Sequence, residues 1–208
     1  MTNISRTRKL VRFSILLALE AIFCFTPLGS LPALGPIVAT LMMVPVVITA
    51  ILMSTKAGAL MGFFSGLFSF IVWTFTPPSP LMAFVFTPFY SLGQFSGTIG
   101  SIVICFVPRI LAGLVCGLVY QGLSKAFKGR AVLRCSVSAA AGSIINTLGV
   151  MGGIALFFGR QYESVAGGAI LVIIGSTILT SGIPEAVVNA VAASAVCVPL
   201  QKFTQEWT

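Results

Sequence analysis

The apolar residues of this chain fall in repeated blocks of roughly membrane-spanning length, separated by charges and by proline or glycine clusters, from Leu10 to Leu200. A helix of about 20 apolar residues crosses the ~30 Å hydrocarbon core of a bilayer. Inside that core each backbone amide must find its partner without help from water. The pattern predicts an all-α integral membrane protein. Composition agrees, because 8% of the 208 residues are charged and 57% are hydrophobic, whereas a soluble domain carries about 25% charged residues.

Arg6, Arg8, Lys9 and Arg12 give the start the look of a signal n-region, but no polar mature domain follows it. On a soluble protein the net charge of +8 would suggest nucleic acid. In a membrane protein basic residues gather in cytoplasmic loops, so the expected surroundings are a lipid bilayer and no nucleic acid. Cys24, Cys105, Cys116, Cys135 and Cys197 all lie in apolar segments without CxxC spacing, and they read as small buried hydrophobes. With no histidine and four acidic residues, the usual zinc and di-metal hydrolase constellations cannot be assembled. No metal, cofactor or catalytic residue is expected, and with no P-loop signature any ATP dependence falls to a partner.

Cutting at charges and breakers predicts one domain, residues 1–208, as a six-helix bundle with spans near 10–26, 37–53, 57–75, 98–121, 132–158 and 184–202. The stretch from 165 to 202 is too long for one span, since as a single helix it reaches about 57 Å. Gly182-Ile183-Pro184 supplies a break, and proline suits a first helical position. Residues 166–181 are therefore expected as an outer loop segment, with room for a helix lying on the bundle or dipping into it, and with a seventh span as the alternative. In the six-span arrangement Arg6, Arg8, Lys9, Arg12, Lys56, Lys125, Lys128, Arg130, Arg134 and Lys202 share one side, and Arg160 stands alone on the other. That asymmetry puts both termini in the cytoplasm. The outer connections are then long, at 27–36, 76–97 and 159–183. The uncharged, proline-rich 76–97 loop reads either as a functional lid or as a merely permissive surface loop, and its apolar character argues that it packs over something.

Three ionisable groups fall inside predicted spans: Glu20, Arg109 and Glu185. A charge at the bilayer centre costs about 3 kcal/mol, which makes each a candidate functional group. Glu20 and Arg109 both sit near mid-membrane, and two readings stand side by side. One is a structural ion pair; the other is a site where the guanidinium of Arg109 forks onto a substrate anion. Glu185 and Asn189, four residues apart, share a face near the outer end of the last span. Glu185 there either answers the helix dipole or lines a pocket opening outward. The other walls of that pocket would be Asn146 on the fifth span, Gln94 and Tyr90 on the 76–97 loop, and Trp73 ending the third.

Small residues at four-residue spacing let helices approach closely in lipid. Gly58, Gly62 and Gly66, then Gly113 and Gly117, then Ala186, Ala190 and Ser194 read as internal packing. On the first helix Ser14, Ala18 and Ala21 form a small-residue stripe, with Glu20 about 120° away. That stripe fits either another helix of the same chain or a smooth groove for a partner protein's helix.

These residues resemble, over nearly the whole chain, the substrate-binding S components of energy-coupling-factor (ECF) vitamin transporters. The likeness rests on the six-helix plan of about 200 residues with basic residues at the start, and on Ser14 and Ala18. It rests also on Thr55-Lys56-Ala57-Gly58-Ala59-Leu60-Met61-Gly62, on Val107-Pro108-Arg109-Ile110-Leu111-Ala112-Gly113, and on Gly182-Ile183-Pro184-Glu185-Ala186. Within the family the chain is most similar to the pantothenate type, through Phe25-Thr26-Pro27-Leu28-Gly29 and residues 40–45. Ser14 stands where the first-helix motif typically has alanine, and Met43 where a histidine is expected.

The resemblance implies a binding subunit of the bacterial cell membrane, not an enzyme, that captures a water-soluble vitamin from outside under its outer loops. A membrane scaffold subunit would dock on the first-helix stripe, and two cytoplasmic ATPases would drive it, toppling the S component so that its site opens inward. Pantothenate presents one carboxylate, an amide and two hydroxyls, for which Arg109, Asn146, Asn189, Gln94 and Tyr90 are the implied partners. The alternatives are an S component for another water-soluble vitamin, or a stand-alone proton-coupled carrier working through Glu20 or Glu185.

Overall fold

The computed structural model describes residues 3–27, 41–92, 95–127 and 129–205. Helix α1 (Asn3–Phe25) precedes α2 (Met43–Leu52) and α3 (Thr55–Phe75). A short α4 (Ala83–Phe86) and the strands β1 (Ser91–Leu92) and β2 (Phe95–Ser96) fill the next connection. The long helices α5 (Ile99–Ala126) and α6 (Ala131–Ala166) follow, and then α7 (Ile170–Thr177) and α8 (Ile183–Gln205). Among the described residues four stretches are long and apolar enough to cross a membrane: Thr55–Phe75, Ile99–Ala126, Ala131–Ser164 and Ile170–Gln201. The expected first span is helical but carries its four basic residues in the first half of α1. The described part of the second is the ten-residue α2, where every residue from Met43 to Ile51 is buried. A helix apolar on all sides has no polar face to show solvent, and burial is its stable placement.

Local chemistry sets the helix ends. The Ser54 hydroxyl accepts from the Ala57 N–H at 3.1 Å and starts α3. Thr98 starts α5 with a reciprocal box, its hydroxyl accepting from Gly100 N while Ser101 Oγ accepts from Thr98 N. Glycine then decides how closely α3 and α5 approach. A Cβ on Gly62 would overlap the Arg109 carbonyl oxygen, and one on Gly113 the Gly58 carbonyl oxygen. The small-residue pattern is internal packing here, as expected, and it fixes the backbone that carries Arg109.

The region 159–183 differs from expectation. Helix α6 runs on to Ala166, eight residues past the predicted end, and stops at Gly167 in the left-handed conformation with φ +75°. Arg160, Gln161 and Glu163 read as loop by polarity yet are good helix formers. Gly182-Ile183-Pro184 is not a break. Residues 166–181 are mostly helix, because α7 passes through a π-helical turn, Ile178–Gly182, straight into α8. Pro184 has no N–H for the carbonyl four residues back, and one widened turn absorbs that mismatch without ending the helix. Ser181 and Gly182 are buried at this turn, with Gly182 against Thr147 of α6.

The 76–97 connection is also more ordered than its prolines suggest. Pro80–Met82 forms a 3-10 turn leading into α4, and β1 pairs antiparallel with β2, Ser91 opposite Ser96. Its apolar character has the predicted consequence, since Ala83, Phe84 and Val85 are fully buried. Phe84 and Val85 join Ile104, Ile154, Phe158, Tyr162 and Ile173 in one apolar core, and Ser101 Oγ donates to the Phe84 carbonyl at 2.8 Å to anchor the segment on α5. A second core gathers α2 with Cys116, Cys135, Ala139, Ala193 and Cys197. All five cysteines are buried and reduced.

Candidate functional site

Arg109 follows a proline inside α5, and that order explains its conformation. In an unbroken helix the Ile104 carbonyl would accept from the N–H of residue 108, which Pro108 lacks. Arg109 Nη1 supplies the missing donor at 2.9 Å. Nη2 donates to Ser69 Oγ of α3 at 3.3 Å. The Phe86 ring of α4 lies under the guanidinium, 5.8 Å from Cζ, and Trp73 of α3 stacks on that ring at 4.5 Å. Arg109 is thus 8% exposed, held by a helix carbonyl, a serine and an aromatic floor.

No carboxylate completes the set. Glu20 is fully buried on α1, where Oε1 accepts from Cys24 Sγ at 3.6 Å and Oε2 has no hydrogen-bond partner. Among the described residues no salt bridge joins it to Arg109, and of the two readings the ion pair is the one the structure does not form. The guanidinium nevertheless lies within electrostatic reach of both Glu20 and Glu185. Two of its five N–H groups are engaged.

Helices α6 and α8 contribute the second half of the site. Asn189 is fully buried and donates through Nδ2 to Ser143 Oγ at 3.1 Å and to the Glu185 carbonyl at 2.9 Å. Its Oδ1 has no partner, and neither has Glu185 Oε1 nor Asn146 Oδ1, all three buried. Arg109 and Trp73 thus meet at Phe86, Glu185 and Asn189 are joined by a hydrogen bond, Glu185 lies within electrostatic reach of Arg109, and Asn146 sits three residues beyond Ser143 on α6. Tyr90 is half-buried in the turn before β1, and its side chain makes no hydrogen bond or ring contact among the described residues. Gln94 lies outside the described residues. Ser69, Phe86 and Ser143 escape sequence reading; Ser69 carries the one usable signal, a hydroxyl next to the glycine row of α3.

A separate apolar crevice of about 220 Å³ opens between α6 and the π turn and start of α8, beside Ile144, Leu148, Ile183 and Val187. Those four side chains are exposed, so it faces the bundle's surroundings rather than the polar site. Helix α1 presents Ser14 and Ala18 on its exposed side, flanked by exposed Leu10, Ile15 and Ile22, with Ala21 half-buried at the edge. Among the described residues, Ser14 and Ala18 are left exposed and not packed inside the chain. Among the described residues no group of three His, Cys, Asp or Glu side chains is placed to hold a metal ion.

Residues 8–200 match the family described as "ECF transporter, substrate-specific component". The pantothenic acid transporter PanT of Lactococcus lactis subsp. cremoris (strain MG1363) is 32% identical over 170 residues, covering 80% of this chain and 80% of that protein. Among solved structures, the S-component for biotin from an ECF-type ABC transporter superposes with a TM-score of 0.63 at 14% identity, over 97% of this chain and 95% of that one. At that identity the likeness speaks for the fold.

Proposed function

The chain belongs to the substrate-specific components of ECF transporters, and we propose that it captures pantothenate at the outer face of the bacterial cell membrane for an ATP-driven importer. The observation that carries the substrate reading is Arg109: a guanidinium 8% exposed in an apolar bundle, with no salt bridge and two side-chain hydrogen bonds among the described residues. A buried cation that makes no close ion pair, with Glu20 and Glu185 acting on it only at longer range, is costly, and a monocarboxylate ligand offsets that cost with charge-assisted hydrogen bonds. The PanT relative, whose name specifies pantothenic acid, points to the same ligand.

The chain crosses the membrane six times with both termini in the cytoplasm, an orientation supported by its ten-to-one basic asymmetry. Helices α1 and α2 supply the spans beyond the four that satisfy length and hydropathy. Tyr90, Trp73 and Gln94 belong to the outer wall of the site. A scaffold subunit docks on Ser14, Ala18 and Ala21, and two cytoplasmic ATPases supply the energy that reorients this chain and releases the vitamin inward.

Calorimetric titration with pantothenate and with its neutral alcohol analogue tests the role of Arg109. Replacing the carboxylate, or making Arg109→Ala, is expected to weaken binding by about 2 kcal/mol or more, roughly 30-fold. The two changes together are expected to cost little more than either alone. Tight binding of pantothenate that survives Arg109→Ala would return Arg109 to a structural role.

A further inference from the structure

The polar region is chemically lopsided. Its α6–α8 side carries three buried acceptors without a hydrogen-bond partner among the described residues: Asn146 Oδ1, Glu185 Oε1 and Asn189 Oδ1. The orientation of Asn189 is not free, because both hydrogen bonds of its Nδ2, to Ser143 Oγ and to the Glu185 carbonyl, turn the amide oxygen away from them. Ser143 and Asn146 lie three residues apart on α6, and Glu185 and Asn189 four apart on α8, so each pair shares a helix face and the two faces meet at the Ser143–Asn189 hydrogen bond. Acceptors cannot satisfy one another, and buried ones left unmade are destabilising. Glu185 and Asn189 are 8% and 0% exposed, and a ligand that brings donors would satisfy these oxygens. On the other side, Arg109 offers only donors.

We propose that Asn146, Glu185 and Asn189 form an acceptor end that selects ligands by their hydroxyl O–H and amide N–H donors, with the ligand's carboxylate held at the Arg109 end. The inference rests on the binding reading above and adds direction and selectivity to it. Pantothenate supplies three donors, two hydroxyls and one amide N–H, to three acceptors. A ligand that brings a second carboxylate, or an ether in place of a hydroxyl, meets oxygen with oxygen and is rejected. Discrimination of this kind is steep because both partners lose their hydrogen bond in a dry site.

The test is calorimetric titration of the full chain in detergent with pantothenate, with analogues in which one hydroxyl is replaced by hydrogen, and with the matching O-methyl ethers. Each ligand is run against the unchanged protein, Glu185→Leu, Asn146→Leu and Glu185→Gln, the last retaining an amide oxygen. Circular dichroism and a thermal melt check that each variant folds. At least one analogue pair is expected to bind the unchanged protein about tenfold or more weakly than pantothenate. That ratio is expected to fall within about threefold in the leucine variant that removes the facing acceptor, and to persist in Glu185→Gln. If pantothenate binds but every analogue binds within about threefold of it, the acceptor end is refuted while the vitamin reading stands. An unchanged ratio in both leucine variants refutes it too. Failure of the unchanged protein to bind pantothenate overturns the substrate reading, and this inference with it.

Discussion

At the scale of single residues, the account turns on one covalent fact: Pro108 removes the donor that the Ile104 carbonyl requires, and Arg109 replaces it from its side chain. The tether aims the guanidinium along its own helix toward Ser69 and Phe86. Pro108→Ala restores the backbone donor and releases the tether. Pantothenate affinity is then expected to drop about 2- to 12-fold, the worth of one hydrogen bond, while the melting temperature holds or rises because alanine suits a helix interior better. An affinity that does not move would mean the tether plays no part in aiming the charge. The sequence makes Arg109 conspicuous, since a charge in an apolar span is rare. It does not say which way Glu20 turns. Depth along a helix follows from counting residues, whereas facing depends on how α1 packs, and here the carboxyl of Glu20 is engaged by Cys24 rather than by the guanidinium.

At the scale of elements, the approach of α3 to α5 sets the position of Arg109, because Gly62 lies against its carbonyl oxygen. Gly62→Ala forces the helices apart and is expected to destabilise the protein by about 1–3 kcal/mol, with weaker ligand binding. Gly122→Ala, on the same α5 but with open space around it, is expected to be neutral or slightly stabilising. Thermal melts of the detergent-solubilised variants separate the two, and equal effects would contradict the close-packing account. Glycine spacing points to close internal packing, because a four-residue repeat puts one residue type on one face, while the pairing of α3 with α5 emerges only in the fold. Pro184 misled for a related reason. A proline usually marks a helix start or break, but the π turn before it lets α7 run into α8, a choice made by the burial of Ser181 and Gly182 against α6 and not by the local sequence.

At the scale of the whole molecule, α1 has two contrasting sides, with Glu20 turned inward and the Ser14–Ala18 stripe outward. Enlarging the stripe with Ser14→Leu and Ala18→Leu is expected to leave pantothenate binding by the isolated chain within about twofold, because the stripe lies outside the site. Uptake by vesicles containing the chain with its scaffold and ATPases is expected to fall at least about tenfold, since small-residue interfaces lose their close backbone approach. Loss of binding in the isolated chain would instead place the stripe in the fold. The most direct test of the central claim is equilibrium binding of labelled pantothenate to the purified chain, with no partner subunit and no nucleotide present. The account predicts saturable binding of one pantothenate per chain, displaced by excess unlabelled vitamin. No saturable binding of pantothenate, or saturable binding only of a different vitamin, would contradict it.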